Sequence, residues 1–155
     1  MLVTGDMLAS RVVVAACALF GCAYEPSSFS FMNHSTGARA TIGCLDLAIS
    51  PRAPTSPARH TVLAYEFGNR CDVPVVVDLA AMSVVGRTAE GQTFTLSPYD
   101  PAREIRAALL DGRSYGTEQI AYPSQSALVD VCVDAAAIAR RGPPRWLCVM
   151  ADAVR

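Results

Sequence analysis

The stretch Val129-Asp130-Val131-Cys132-Val133-Asp134 shows a regular two-residue alternation. Valine occupies every second position, with aspartate or cysteine between. Successive side chains of a β-strand point to opposite faces, so this alternation predicts an antiparallel strand with one face in the core and one toward solvent. We therefore expect a sheet that is buried on one side only.

Outward from this strand, apolar residues alternate or form short runs between turn residues along most of the chain after Cys44. We expect strands near 45–49, 62–67, 74–79, 82–86, 93–96, 104–109, 119–122, 129–133 and 146–150. The segment 135–140 is a weak helical candidate. Short strands at this spacing predict an all-β fold, namely an antiparallel immunoglobulin-like β-sandwich of about 7–8 strands. An open barrel is the alternative.

Composition limits the chain to one small domain and excludes several functions. Its 155 residues are 52% hydrophobic and 17% charged, which is too apolar for a disordered chain. The net charge of −1 gives no strong field that would attract nucleic acid. The 13 basic residues are all arginine, which excludes Schiff-base and P-loop lysines.

The N-terminus has a pattern typical of export. Arg11 precedes nine apolar residues, 12–20, a run too short to span a bilayer but of the length found in signal peptides. The sequence Leu19-Phe20-Gly21-Cys22 resembles the lipobox of bacterial lipoproteins. That resemblance implies that residues 1–21 are a signal peptide and that Cys22 carries a diacylglyceryl group at the mature N-terminus, with a further acyl chain such as palmitate. An ordinary signal peptide cut near Ala23 is the alternative.

The residues after the signal peptide predict a tether followed by a domain. Segment 22–43 contains Ser, Pro, Gly and Asn without a sustained period, which is typical of a flexible tether. The β-sandwich domain is then expected to span 44–155. By resemblance to Gram-negative sorting rules, Ala23 in place of Asp after the lipid-bearing Cys22 implies the outer membrane. Periplasmic and surface orientations, and translation from Met1 or Met7, all fit.

Residues 44–150 also loosely resemble uncharacterised envelope lipoproteins of GC-rich Gram-negative bacteria. The resemblance lies in Phe67-Gly68-Asn69-Arg70-Cys71-Asp72, in Tyr99-Asp100-Pro101 and in Val131-Cys132-Val133-Asp134. It implies location and fold, and it carries no catalytic residue or ligand.

Four cysteines remain outside the signal and the lipid site: Cys44, Cys71, Cys132 and Cys148. An even number in an exported domain predicts two disulfides. We expect Cys44–Cys148 and Cys71–Cys132, because the first and last strands of an immunoglobulin-like layout can be neighbours. The hairpin-local pairing, Cys44–Cys71 with Cys132–Cys148, is the alternative. The spacings predict neither a thioredoxin-type site nor a zinc site.

Candidate binding residues are few. Arg140, Arg141 and Arg145 form a basic loop that could bind an anion. Aromatic residues could form a sugar-stacking surface or could pack in the core and turns, namely Tyr65, Tyr99, Tyr115, Tyr122 and Trp146. The chain contains no Gly-x-Ser-x-Gly, His-Glu-x-x-His or phosphate-binding glycine loop.

These observations predict a non-enzymatic, lipid-anchored cell-envelope protein. It would need no cofactor or metal and would act as a binding or structural module for an envelope protein or polysaccharide, without nucleic acid. The alternative is an envelope hydrolase or metal-handling protein that uses His60 with nearby carboxylates such as Glu66 or Asp72. His34, the other histidine, lies in a polar segment of the expected tether. Distances between these groups in the folded domain distinguish the two hypotheses.

Overall fold

A computed structural model describes residues 23–26, 37–53 and 60–151. The predicted signal peptide, Cys22 and His34 lie outside these ranges. Within them are ten strands and one short helix, in the order β1 Ala38–Ile42, β2 Leu45–Arg52, β3 His60–Asn69, β4 Val75–Asp78, β5 Val84–Arg87, β6 Thr93–Thr95, β7 Ala107–Leu110, β8 Tyr115–Pro123, β9 Asp130–Asp134, α1 Ala135–Ile138 and β10 Trp146–Met150. No helix in the described ranges has the length and apolar character needed to cross a membrane.

The strands form two four-stranded sheets and a two-stranded ribbon. The first sheet has the order β1-β2-β3-β8, the second has the order β10-β9-β5-β6, and the ribbon pairs β4 with β7. All the pairings are antiparallel. The predicted all-β, antiparallel sandwich class is therefore confirmed, with a few more strands than expected.

The period-two pattern determines which side chains form the core. Val131 and Val133 of β9 are fully buried, whereas Cys132 between them is partly exposed. On the first sheet the inward face places Leu47 opposite Phe67 and Ile49 opposite Tyr65. Burial of this face removes apolar surface from water and is the main force that holds the two sheets together.

The domain boundary differs from the expectation. Strand β1, Ala38–Ile42, lies inside the segment 22–43 that we assigned to a tether, and it pairs with β2 along its whole length. A two-residue turn at Gly43 and Cys44 joins these strands, and Gly43 has φ of 59°, which glycine adopts without strain. The folded domain therefore begins by Ala38. Alanine-rich β1 gives a weak apolar signal, which is why the sequence pattern missed it.

The two predicted disulfides are present, but the favoured pairing was wrong. The bonds are Cys44–Cys71 and Cys132–Cys148, the hairpin-local alternative. Cys148 is exposed between the buried Leu147 and Val149, so its side chain lies on the outer face of the second sheet, away from the first. In contrast, Cys132 and Cys148 face each other across β9 and β10, with their α-carbons 4.0 Å apart.

The actual disulfides close shorter loops than the favoured pairing would have closed. Their sequence separations are 27 and 16 residues. In the chain-entropy model, loops of this size correspond to roughly 3.5 and 3 kcal/mol of stabilisation. Each disulfide therefore cross-links one antiparallel strand pair within a sheet. The two sheets are held to each other by side-chain packing.

A buried amide organises the turn at one end of the sandwich. Asn69 is fully buried, and its side-chain NH2 donates to the carbonyl oxygens of Val73 at 2.8 Å, Leu110 at 3.1 Å and Asp111 at 2.9 Å. Its side-chain oxygen accepts a hydrogen bond from the Cys71 N–H at 3.0 Å. We call residues 69–74 and 110–114, which this amide joins, the Asn69 corner.

We predict that Asn69→Leu lowers the free energy of unfolding by about 2 kcal/mol or more. The substitution removes a buried amide, so the three carbonyls lose their side-chain donor and the Cys71 N–H loses its acceptor. Each buried group left without a partner costs roughly 1–3 kcal/mol. Urea unfolding of the oxidised domain measures the change. The control is Gln92→Leu in an exposed turn, for which we expect a change within about 0.5 kcal/mol. Equal effects of the two substitutions would contradict a structural role for the buried amide.

Candidate functional site

A groove of about 370 Å³ lies beside strand β8. The loop 99–106 forms one wall and β8 contributes the other, with β7 and Leu79 at the sides. The lining residues are Leu79, Tyr99, Asp100, Pro101, Ala102, Glu104, Ile105, Arg106, Ala108, Glu118, Gln119 and Ile120. This volume lies near the lower end of the range for small-molecule sites.

Short-range hydrogen bonds fix the conformation of the groove loop. The Tyr99 N–H donates to the carbonyl of Ala121 on β8 at 2.8 Å. The Asp100 carboxylate accepts from the N–H groups of Glu104 at 2.9 Å and Ile105 at 3.1 Å. Because these bonds hold the backbone of the loop, that backbone needs little ordering when a ligand binds.

The groove combines an aromatic ring with hydrogen-bonding groups. Tyr99 is 59% exposed, and its ring centroid lies 6.0 Å from that of His60. Three carboxylates, a guanidinium and an amide line the same groove, contributed by Asp100, Glu104, Glu118, Arg106 and Gln119. A ring face suits the apolar face of a sugar, and the carboxylate and amide groups suit its hydroxyls.

The guanidinium groups of the predicted basic loop, Arg140, Arg141 and Arg145, do not converge on one binding site. The Arg140 Nε donates to the buried Asp78 carboxylate at 2.6 Å. Arg145 donates to the carbonyl of Thr41 at 3.0 Å. Arg141 lies against Gly43 and, together with Arg140, lines a smaller cavity of about 280 Å³ that Arg145 does not line. Because Arg140 is paired with Asp78 and Arg145 with a backbone carbonyl, the three guanidinium groups form no shared anion site.

The Arg140 guanidinium is not available to bind an anion because it is paired with the Asp78 carboxylate. Burial would raise the pKa of Asp78, but the Arg140 guanidinium and the backbone N–H groups of Ala81 and Ala80 together outweigh burial and hold this pKa below its ordinary value of 3.8. The pair links the segment after α1 to β4. Arg140 is thus a structural residue of the sandwich.

The predicted aromatic surface is dispersed. Tyr65 and Tyr122 are fully buried in the core, where their hydroxyl groups are hydrogen-bonded at 2.7 Å. Tyr115 lies at the start of β8, and Trp146 lies on the second sheet. Of the five aromatic residues considered as a sugar-stacking surface, Tyr99 alone lines the groove.

The groups of the hydrolase alternative lie apart. His60 and Glu66 are six residues apart on the extended strand β3, a separation of about 20 Å. Asp72 lies beyond the other end of that strand and forms an ion pair with Arg113. Within the described ranges no three His, Cys, Asp or Glu residues form a group that could hold a metal. The geometry gives no support to a site built from His60 with these carboxylates.

A feature that the sequence did not predict is the docking of Tyr24, which lies in the segment assigned to a tether. Tyr24 is 4% exposed, and its hydroxyl donates to the Asp46 carboxylate at 2.7 Å. The other oxygen of Asp46 accepts from the Thr41 hydroxyl at 2.6 Å. Burial, followed by the hydrogen bond to Asp46, raises the pKa of Tyr24. The backbone around Tyr24 is therefore held against the first sheet, a correction to the flexible tether.

Gly68 is the one residue in the sequence that could have indicated that another part of the chain packs here. A Cβ at Gly68 would lie 2.0 Å from Cζ of Tyr24, so the ring occupies the space that a side chain would need. A glycine inside a strand often marks a close approach of another part of the protein. The sequence alone does not say which residue makes that approach.

Comparisons with known proteins give little further information. No family model and no curated protein matches the chain. Among solved structures, the yjhA protein from Bacillus subtilis matches with a TM-score of 0.46 and 9% identity, covering 67% of this chain and 82% of that one. The secreted protein MPT63 from Mycobacterium tuberculosis matches with a TM-score of 0.41 and 14% identity, covering 63% and 82%. Similarity at this level carries no conclusion about function.

The two disulfides are typical of proteins that fold outside the cytosol.

We predict that Arg140→Ala destabilises the domain by about 1 kcal/mol at pH 7, because Asp78 loses its ion-pair partner. The effect is modest because the Arg140 side chain is more than half exposed, so solvent screens the ion pair. A carboxylate with a lowered folded-state pKa contributes stability above its ordinary pKa and loses it as pH falls through the folded value. The difference in stability between the unsubstituted domain and Arg140→Ala should therefore shrink below about pH 4. Thermal unfolding from pH 7 to pH 3 measures it. Arg141→Ala is the matched control, and a pH-independent deficit would contradict the assignment to Asp78.

Proposed function

We propose that this protein is a lipid-anchored, non-enzymatic module of the bacterial envelope that binds an envelope polysaccharide in the groove beside β8. The single observation that carries the ligand assignment is the exposed Tyr99 ring beside Glu104, Glu118 and Gln119 in a groove whose loop is already ordered. The anchor assignment rests on the lipobox-like sequence before Cys22.

A polysaccharide suits this groove better than a small charged metabolite. Its three carboxylates outnumber its one guanidinium, so the groove disfavours an anionic metabolite and accepts a neutral, hydroxyl-rich ligand. An aromatic ring and several hydrogen-bonding groups along one strand suit a repeating, hydroxyl-rich chain. The open groove beside an extended strand also allows a polymer to pass through without a free end.

We predict that the mature protein sediments with purified peptidoglycan sacculi and that Tyr99→Ala reduces the bound fraction at least about tenfold, since loss of a stacking aromatic removes on the order of 1.5 kcal/mol or more. Glu118→Gln should reduce it less, because the amide keeps part of the hydrogen-bonding capacity. Co-sedimentation at a fixed amount of sacculi measures both.

The matched control is Trp146→Ala, which removes a 46% exposed aromatic from the second sheet, outside the groove. Binding should be unchanged in this variant. Retention of binding by Tyr99→Ala, or an equal loss in Trp146→Ala, would overturn the groove assignment. Failure of the unsubstituted protein to sediment would overturn the choice of peptidoglycan glycan as the polymer.

For the anchor, we predict that Cys22→Ser moves the protein from the membrane fraction to the soluble periplasmic fraction, because the diacylglyceryl group requires the thiol. Mass spectrometry of the N-terminal peptide should show a lipid-modified Cys22 in the unsubstituted protein. Cys17→Ser is the control and should leave membrane association unchanged. An unmodified Cys22, or a mature N-terminus beyond it, would show that the ordinary signal-peptide alternative is correct.

A further inference from the structure

The docked Tyr24 limits how far the β-sandwich can lie from the proposed lipid. Cys22 and Tyr24 are two residues apart, and two residues of extended chain span at most about 7 Å. The acyl chains of a lipidated Cys22 enter the bilayer. The part of the domain that holds Tyr24 must therefore lie at the membrane surface, whereas a free tether of about twenty residues would let the domain move away.

Tyr24 is held at the Asn69 corner. Its N–H donates to the carbonyl of Arg113, and the Arg113 N–H donates to the carbonyl of Cys71 at 2.9 Å. Its ring fills the space above Gly68 at the end of β3. The backbone and ring contacts connect Tyr24 to this corner, and its hydroxyl connects it to Asp46 on the adjacent strand β2.

The same corner and the adjoining ribbon expose apolar side chains. Val73 is 62% exposed, Leu109 is 70% exposed and Val76 is 36% exposed. Val76 and Leu109 are direct partners across β4 and β7, two residues from the corner turn. We call Val73, Val76 and Leu109 the apolar corner patch. Of the charged residues at the corner, Asp72 is paired with Arg113 and Arg70 with Asp46.

We propose that the apolar corner patch rests on the lipid bilayer and that Tyr24 is the clamp that orients the sandwich there. This inference depends on the proposed lipidation of Cys22. A bilayer is the occupant that the chain geometry favours, because the anchor on Cys22 must lie within about 7 Å of Tyr24, which is bonded to the same corner that carries Val73. Exposed aliphatic side chains at an interface of this kind add to the binding supplied by acyl chains.

The orientation has a consequence for the groove. Strand β8 runs from Tyr115, which stacks near Tyr24, to Pro123, which pairs with His60 beside Tyr99. Its nine residues span about 27 Å. The clamp thus places Tyr99 at the end of the domain that is remote from the membrane, where it can reach a polymer.

The test uses the full lipidated protein in phosphatidylethanolamine and phosphatidylglycerol vesicles. Trp146, the single tryptophan of the chain, is first changed to Phe. A reporter is then introduced as Leu109→Trp in the patch or, as the matched control, as Phe94→Trp, at a 41% exposed position on the second sheet. Lipids brominated near the headgroup end of the acyl chains should quench the Leu109→Trp reporter about twofold or more, because interfacial side chains reach the acyl boundary. The control should not be quenched.

Two clamp variants test the role of Tyr24. Tyr24→Ala removes the ring, and Gly68→Ala keeps Tyr24 but places a methyl group where the ring lies. Both should reduce quenching of the Leu109→Trp reporter to the control level while the protein still floats with the vesicles, because the lipid on Cys22 is unchanged. Circular dichroism confirms that each variant is folded.

The outcomes separate this inference from the proposed function. Vesicle-bound protein whose two reporters are quenched equally would overturn the orientation while leaving the anchor intact. Loss of flotation in the unsubstituted protein would overturn the anchor and this inference with it. A patch shielded from brominated lipid in protein that cross-links as a dimer would show that a second copy covers it and would also overturn the proposal.

Discussion

The fully buried amide of Asn69 is the interaction on which the arrangement of this sandwich depends. At the corner that it joins, β3 leaves the first sheet toward β4, and β7 returns toward β8. Backbone carbonyls in such a turn cannot all be paired by strand hydrogen bonds, and burial without a partner is costly. One side chain supplies donors to three of them. The Cys44–Cys71 disulfide lies at the same corner and limits its opening.

Several features that matter for function are arranged around this corner. Tyr24 docks on it through Arg113, and the apolar corner patch extends from it along the ribbon. Strand β8 leads from it toward the groove that contains Tyr99. The corner therefore relates the proposed membrane contact to the proposed ligand site through rigid strands. A flexible tether would not define such a relation, because the domain could rotate freely about it.

The charged residues contribute mainly to structure. Arg140 pairs with the buried Asp78, Arg113 with Asp72, and Arg87 with Asp130 across β5 and β9. Within the basic loop, Arg140 thus pairs with a carboxylate, whereas Arg145 donates to a backbone carbonyl. The polar groups that remain together in a concave site are those around Tyr99. The Asp100 turn positions the loop residues of this site, and strand β8 positions Glu118 and Gln119.

The sequence by itself determined the all-β class, most of the strands and the number of disulfides. These depend on local properties: the two-residue alternation of Val129–Val133, the turn residues between runs, and an even count of exported cysteines. The alternation of apolar and polar side chains is hardest to recognise where the apolar residues are small. For this reason β1, whose inward residues include alanine, was assigned to a tether.

Only the tertiary structure decided which cysteines pair, where Tyr24 docks and which polar groups share the groove. Cys44 joins Cys71, and not Cys148, because Cys148 lies on the outer face of the second sheet, where Cys132 is its direct strand partner. Gly68 and Asn69 read as the end of a strand, yet one accommodates a ring from 44 residues upstream and the other bonds carbonyls about 41 residues downstream. Such contacts depend on which strands become neighbours, and a pattern with a period of two residues contains no information about that choice.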